Sequence, residues 1–294
     1  MVLWETIAIV VAAIWALTNI LDKYALTKLV RSASLNELSL FIQVILAFIV
    51  LGIHGIAQIP STILLIALLA GALEAVSIFL YYDAAKLDEI SSVLPVWYLD
   101  TAFIAIIAGA VLGEVFTPST YLGIGLMVIG VFLLGIKIKH RLRLSKAMSI
   151  MILASLTAAI SVVMLKYVLG FTDYLSAFIY VTLGYGIVLL PLLVKNRARV
   201  VNMLTTNRKG TVVLVTKEGM TAFGNLLYVL AAVSGPIALV NALSSLQPLF
   251  LLIFAVIVSA MYPALLKEEI KGTHIAIKLC AIALILIATY IIAA

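Results

Sequence analysis

Long apolar runs recur along the chain and are separated by short polar segments. A helix needs about 20 mostly apolar residues to cross a bilayer. The pattern therefore predicts an all-α polytopic membrane protein with ten transmembrane helices, near residues 4–22, 36–54, 61–82, 90–112, 120–136, 147–168, 174–194, 211–233, 236–260 and 273–293. The first run follows no basic segment and ends in no small-residue cleavage signal, so it is predicted to be a span rather than a cleaved signal peptide.

Composition supports this class. Of the 294 residues, 65% are hydrophobic and only 11% are charged, whereas soluble domains are about 25% charged. The single cysteine, Cys280, excludes an intramolecular disulfide and a multi-cysteine metal site. The sequence contains no phosphate-binding loop and no HExxH motif, which argues against an ATP-driven pump and against a zinc enzyme. We therefore expect no cofactor and no metal.

The basic residues lie almost entirely in the loops that follow odd-numbered spans. The densest group is "KIKHRLRLSK" at 137–146, a second basic segment covers 195–210, and the opposite side has essentially only Lys166. By the positive-inside rule, the basic loops are cytoplasmic and both termini lie outside, in a multi-pass protein of the cell membrane. Membrane orientation explains the net charge of +6, so no nucleic-acid partner is expected.

Five spans precede the basic segment 137–146 and five follow it. The halves match weakly and in the same order, with 20–26 facing 163–169, 79–100 facing 226–247, and 112–134 facing 266–288, where Glu114 aligns with Glu268. An odd number of spans inserts the second half upside down relative to the first. The sequence predicts two inverted five-helix repeats joined by a basic cytoplasmic linker.

These features resemble a known family. The ten spans, the duplication, "AAIWALTNILDKY", Pro95, Glu114 and "YLGIGLMVIGV" are similar to the drug/metabolite transporter superfamily, and within it to the EamA-type exporters. The resemblance implies an EamA-like repeat at 1–136, a linker at 137–146 and a second EamA-like repeat at 147–294. It also implies a transporter rather than an enzyme. Many members of the family keep both termini in the cytoplasm, whereas the charges here place them outside.

Ionisable residues inside spans mark candidate chemistry in the first half. Glu74 and Asp100 fall near the bilayer midplane, where insertion of such a charge costs about 2.5–3.5 kcal/mol. They are interpreted as cavity carboxylates that bind a cationic group or take up a proton, or alternatively as paired groups that join two helices. Trp97 shares a helix face with Asp100, and Trp15 shares one with Asn19. An aromatic ring beside a carboxylate suits an amine or a quaternary ammonium group, and it also suits the ring of an aromatic substrate.

The second half offers a polar segment, "NALSSLQPLF", in which Pro248 frees a backbone carbonyl one turn earlier. Pro95 does the same in span four. Helices broken at corresponding places in two halves indicate a transporter binding site, although packing by small polar residues is the alternative. The predicted contributors from spans eight and nine are Asn225, Tyr228, Asn241, Ser244 and Gln247.

Span eight also carries Lys217 and Glu218. Lys217 is expected to extend its ammonium to the basic surface, and a lysine–carboxylate pair that closes a gate is the alternative. Glu218 faces about 100° away from Lys217 on the helix. Together with Asp100 and Glu74, Glu218 is a candidate for proton coupling.

The sequence thus predicts a secondary transporter, and from the resemblance an exporter, of small metabolites such as amino acids or amines. It would work by alternating access, with proton coupling as a further hypothesis. The alternative is a flippase for a lipid or a lipid-linked sugar, and an intramembrane enzyme lacks a supporting motif. The expected partners are a small-molecule substrate and the lipid bilayer, for a monomer or a homodimer.

Overall fold

A computed structural model describes residues 3–28, 32–55, 57–87, 96–135, 146–261, 280–281, 283–288 and 290–291. This part of the chain forms α1 (Leu3–Lys28), α2 (Ser32–His54), α3 (Ser61–Leu87), α4 (Asp100–Val111), α5 (Pro118–Gly135), α6 (Lys146–Val168), α7 (Tyr174–Thr206), α8 (Arg208–Ser234), α9 (Ile237–Ser244) and α10 (Gln247–Met261). Apart from Lys146, the predicted linker lies outside the described residues, as do Pro95 and Glu268.

Each of the ten predicted spans contains helix. α1 to α8 correspond to the first eight, α9 and α10 divide the ninth, and the helical residues between 280 and 291 belong to the tenth. Five described stretches are long and apolar enough to cross a membrane, namely Leu3–Leu21, Ser61–Ala84, Lys146–Val168, Tyr174–Ala198 and Ile237–Val258. The all-helical, multi-pass membrane class is confirmed, and the ten-span inverted arrangement stays a prediction.

One predicted connection is wrong. The basic segment 195–210 was expected to be a loop, but α7 continues through it to Thr206 and α8 begins at Arg208. Charge ends the apolar run without ending the helix, since lysine and arginine are good helix formers. Asn207 alone separates the two helices, and its side chain accepts a hydrogen bond from the Gly210 N–H at 2.9 Å. Asn207 therefore acts as the N-cap of α8.

The main helix contacts join the first half to the second, and they come in matched couples. α1 packs on α8 as α3 packs on α6, and α3 packs on α7 as α2 packs on α8. α4 packs on α6 as α10 packs on α1. Exchanging corresponding helices of the two halves reproduces this set of contacts, which is the pattern that a duplication predicts.

α3 and α7 cross in close contact. A Cβ atom on Gly71 would overlap the carbonyl oxygen of Val181, and one on Gly184 would overlap the carbonyl oxygen of Leu68. Small residues let helix backbones approach closely in a membrane protein. The two glycines thus fix how near α3 lies to α7.

Asp173 caps α7 and joins it to the end of α2. Its Oδ1 atom accepts hydrogen bonds from the N–H groups of Leu175 and Ser176, each at 3.0 Å, and lies 3.1 Å from the His54 Nε2 atom. Partial burial opposes ionisation of this carboxyl. The hydrogen bonds from Ser176 and the neighbouring His54 outweigh that effect and hold the pKa of Asp173 below its usual range.

Candidate functional site

Two helix breaks face each other near the middle of the protein. Residues 96–97 are helical, Tyr98 and Leu99 form a turn, and α4 begins at Asp100. α9 ends at Ser244, a turn follows at 245–246, and α10 begins at Gln247. The breaks occupy the same positions in the aligned segments 79–100 and 226–247. The prolines predict breaks one turn before Pro95 and one turn before Pro248. The first of these positions lies outside the described residues, and the turn at 245–246 lies next to the second.

The turns are alike in their hydrogen bonds. The Leu99 N–H donates to the Val96 carbonyl at 3.2 Å, and the Leu246 N–H donates to the Leu243 carbonyl at 3.1 Å. Both bonds span three residues rather than the four of an α-helix, so each helix tightens before it breaks. Polar side chains next to the breaks are thereby directed into the space between the two halves.

A cavity of about 30 Å³ lies between the breaks. Its walls include Tyr98 and Ser245 together with six of the predicted residues, Trp15, Trp97, Asp100, Asn241, Ser244 and Gln247. This volume is enough for about one or two water molecules and too small for a metabolite. The helices are therefore closed around the site in this conformation.

Thr101 links Asp100 to the second half of the chain. Its Oγ1 atom accepts a hydrogen bond from Asn241 Nδ2 at 3.1 Å and lies 3.0 Å from Ser245 Oγ and 3.2 Å from Asp100 Oδ1. Ser245 donates its own proton to the Asn241 carbonyl at 2.9 Å. Because a hydroxyl has one proton to donate, Thr101 donates either to Ser245 or to Asp100. Sequence analysis missed Thr101, whose only signal was its position beside Asp100.

Trp15 and Tyr228 pack together next to the polar groups of the cavity. Trp15 Nε1 donates to Asn225 Oδ1 at 3.2 Å, and the rings of Trp15 and Tyr228 are 5.6 Å apart. The Tyr228 hydroxyl donates to Asn241 Oδ1 at 3.2 Å. Asn225 and Tyr228 do not line the cavity. They hold Trp15 and Asn241 in place from the side that faces away from it. Gly224 makes room for Trp15, since a Cβ there would lie 2.9 Å from its Nε1 atom.

Glu74 and Asn19 are placed differently from the other candidates, because neither lines a described cavity. Glu74 lies on α3 beside Ser161 of α6, near enough to Asp100 for the two carboxyl groups to interact electrostatically. Asn19 lies one turn beyond Trp15 on α1. The structure thus brings Glu74 close to the site and leaves Asn19 outside it.

A second cavity, of about 150 Å³, lies between α2, α3, α7 and α8. Lys217 was expected to extend to the basic surface, which is wrong. Its Nζ atom lies 2.6 Å from Glu218 Oε1, and its side chain is only 11% exposed. Gln43 Nε2 donates to the other oxygen of Glu218, which is fully buried, at 3.1 Å. As neighbours on a helix, Lys217 and Glu218 leave the backbone in directions about 100° apart. Their flexible side chains nevertheless bring the ammonium and carboxylate groups together.

Glu114 joins the halves near the opposite ends of the helices. Gly113 has a φ of +70°, which favours glycine, and it turns the chain after α4. The Glu114 carboxylate then accepts hydrogen bonds from the N–H groups of Ile237 and Ala238, at 2.8 and 3.4 Å, at the start of α9. Lys166 donates to the carbonyls of Ala232 and Gly235 at 2.5 and 3.0 Å. Carboxylate and ammonium thus lie at the helix ends that favour them.

Replacement of Glu114 by alanine is expected to destabilise the protein by about 1–2 kcal/mol, because the first N–H groups of α9 lose both a partner and a negative charge. Glu114→Gln keeps an oxygen acceptor and is expected to cost about half as much. Thermal unfolding of the purified protein in detergent measures both variants. An alanine variant as stable as the wild type would contradict the capping role.

Among the described residues, no group of three His, Cys, Asp or Glu side chains is placed to hold a metal ion.

Comparison with known proteins identifies the first half of the chain. Residues 2–136 match the EamA-like transporter family, which confirms the predicted resemblance over this region. A protein of known crystal structure superimposes with a TM-score of 0.70 and is 16% identical; the match covers 98% of this chain and 94% of that protein's chain. At that identity the likeness shows the fold alone. No curated protein matches the sequence.

Proposed function

Because residues 2–136 match a family of membrane transporters of small substrates, we propose that the protein is a secondary transporter that moves small amines or amino acids through the cavity between the two helix breaks. The observation that carries this proposal is the position of Asp100, at a helix break, in a cavity whose opposite wall belongs to the second half.

The lining groups favour a substrate with a positively charged amino group. Asp100 supplies a carboxylate, and Trp15 and Trp97 supply ring faces that attract a cation. Asn241, Ser244 and Gln247 add amide and hydroxyl groups that can orient the rest of the molecule. Tyr81 packs edge-on against Trp97 with ring centroids 5.4 Å apart, which keeps Trp97 in place.

The hydrogen bonds between the halves support alternating access. Asn241, Thr101 and Ser245 connect α4 to α9 across the cavity. A substrate that enters must separate these groups, and its own polar atoms can replace the broken bonds. In transporters with inverted repeats, one half rocks against the other around such a midplane site. We propose the same motion here, with export as the net direction.

Proton coupling is a further part of the proposal. Asp100 and Glu74 interact electrostatically in the protein interior, so a proton on one of them removes a repulsion between two negative charges. A proton and a cationic substrate would then compete for Asp100. Substrate binding on one side would release the proton, and proton binding on the other side would release the substrate.

Replacement of Asp100 by asparagine is expected to weaken binding and transport of an amine substrate about 10- to 100-fold, because a charge-assisted hydrogen bond contributes about 1.5–3 kcal/mol. The substrate is first found by thermal stabilisation of the purified protein with a panel of amines and amino acids, and uptake into proteoliposomes is then compared between variants. Asp83→Asn, which changes an exposed carboxylate, is the control and is expected to transport normally.

Two outcomes would count against the proposal. Full activity of Asp100→Asn would exclude the carboxylate as counter-ion, and an unchanged pH dependence in Asp100→Asn/Glu74→Gln would exclude the coupling scheme. If no small compound in the panel stabilised the protein and a lipid remained bound on purification, a flippase would replace the small-molecule transporter.

A further inference from the structure

The second cavity contains a charged pair that the proposed transport cycle does not use. Lys217 and Glu218 both line it, at 2.6 Å from each other, and Glu218 has no exposed surface. A buried ion pair contributes little to stability, because removing both charges from water offsets their attraction. Ionisable groups inside a membrane protein usually serve substrate, ion or proton pathways. A cavity beside this pair therefore points to a ligand.

We propose that this cavity is a binding site for a small zwitterion, whose carboxylate binds Lys217 and whose ammonium group binds Glu218. The inference rests on the proposed transport function and adds a second substrate-binding site to the transport pathway. Among the described residues that line the cavity, one side chain is positive and one is negative. A zwitterion keeps this balance, whereas a simple amine adds a positive charge beside Lys217 and a simple carboxylate adds a negative charge beside Glu218.

The geometry allows the ligand to exchange with the existing pair. Glu218 uses Oε1 for Lys217 and Oε2 for Gln43. If the ligand enters between Lys217 and Glu218, the Gln43 bond can remain and hold the carboxylate in place. One ion pair within the protein is then replaced by two ion pairs between protein and ligand.

Size and polarity limit the rest of the molecule. A cavity of about 150 Å³ holds a molecule the size of benzene, and alanine is of similar size. Ile78, Phe79 and Leu189 form an apolar part of the wall, which suits a short aliphatic side chain. Tyr185 of α7 faces the same space and interacts electrostatically with both Glu218 and Glu74.

The two cavities are expected to differ in what they require. A ligand needs only an amino group to pair with Asp100 in the first cavity. To pair with both Lys217 and Glu218 in the second cavity, it needs an amino group and a carboxylate. Wild-type protein should therefore bind L-alanine about tenfold or more tightly than ethylamine or propionate, since each of these lacks one charge-assisted contact.

The test uses the full chain in proteoliposomes, with inhibition of labelled L-alanine uptake by unlabelled L-alanine, ethylamine and propionate. The matched variant is Lys217→Gln/Glu218→Gln, which removes both charges of the pair together. In this variant the preference for L-alanine over ethylamine is expected to fall to about twofold or less. Asp100→Asn should instead weaken L-alanine and ethylamine by similar factors.

Equal inhibition by the three compounds in wild-type protein would overturn the inference, as would a double variant that keeps the full preference. Transport of amines without any transport of L-alanine would also overturn it while leaving the proposed function intact. Failure of every amine and amino acid in the panel would remove the proposed function and the inference with it.

If the double variant does not fold, L-alanine methyl ester and N-acetyl-L-alanine are tested on the wild-type protein. Inhibition by either compound that equals inhibition by L-alanine would refute recognition of both charged groups.

Discussion

Substitution of Glu218 by glutamine is expected to destabilise the protein by about 3–5 kcal/mol, because it removes the carboxylate that lies 2.6 Å from a mostly buried ammonium group. The Lys217 side chain is only 11% exposed and lies 2.6 Å from the carboxylate that the substitution removes. Glutamine has nearly the same shape, so loss of charge rather than loss of packing is what the variant measures. Thermal or denaturant unfolding in detergent gives the size of the effect.

The control is the double variant Lys217→Gln/Glu218→Gln, which removes both charges. Replacing both partners removes the two buried charges together and is expected to cost far less than the single change. A double-mutant cycle then isolates the energy of the pair. If Glu218→Gln were as stable as the double variant, Lys217 would have another counter-ion or would reach water.

Substitution of Gly71 by alanine is expected to destabilise the protein by about 3 kcal/mol, at the upper end of the usual cost of overpacking. The added methyl group would overlap the Val181 carbonyl oxygen and would lie 2.5 Å from the Tyr185 backbone nitrogen. Backbone atoms cannot rotate away as a side chain can, so α3 and α7 must separate. The expected result is a lower melting temperature and a smaller folded fraction in size-exclusion chromatography.

Gly219→Ala is the matched control for this change. A Cβ at Gly219, within α8, would meet nothing within 4 Å, and alanine is the better helix former by about 1 kcal/mol. The control is therefore expected to be as stable as the wild type or slightly more so. Equal stability of Gly71→Ala and Gly219→Ala would mean that the α3–α7 crossing is looser than the structure shows.

Much of the fold was predictable because a membrane span has a fixed length and composition. The apolar runs located every helix that the structure describes, and Pro95 and Pro248 indicated the two spans that break, although the two prolines are not in register. The prediction is wrong at 195–210, where the polar composition suggested a loop and the chain is helical on both sides of Asn207. Outside the apolar core of the bilayer, a helix needs only favourable helix formers, so α7 continues beyond the point at which its apolar pattern ends.

The candidate site was predictable where the rules are local. Trp97 and Asp100 share a helix face at a spacing of three, and both line the cavity. Contacts between helices that are distant in the sequence were not predictable, because a single sequence does not show how one helix is rotated relative to another. Thr101 bonds to Asn241, and Glu114 to the start of α9, across more than a hundred residues. Nothing near Thr101 or Glu114 in the sequence indicates those partners.

The length of α7 has a practical consequence for imaging. Its 33 residues extend about 50 Å, whereas the hydrocarbon core is about 30 Å thick, so its last turns and the start of α8 project from the bilayer as a helical hairpin closed by Asn207. A small membrane protein offers little mass for particle alignment in electron cryomicroscopy. A folded domain inserted at Asn207, with both helices continued into it, would form a rigid fiducial attached to the second half of the protein.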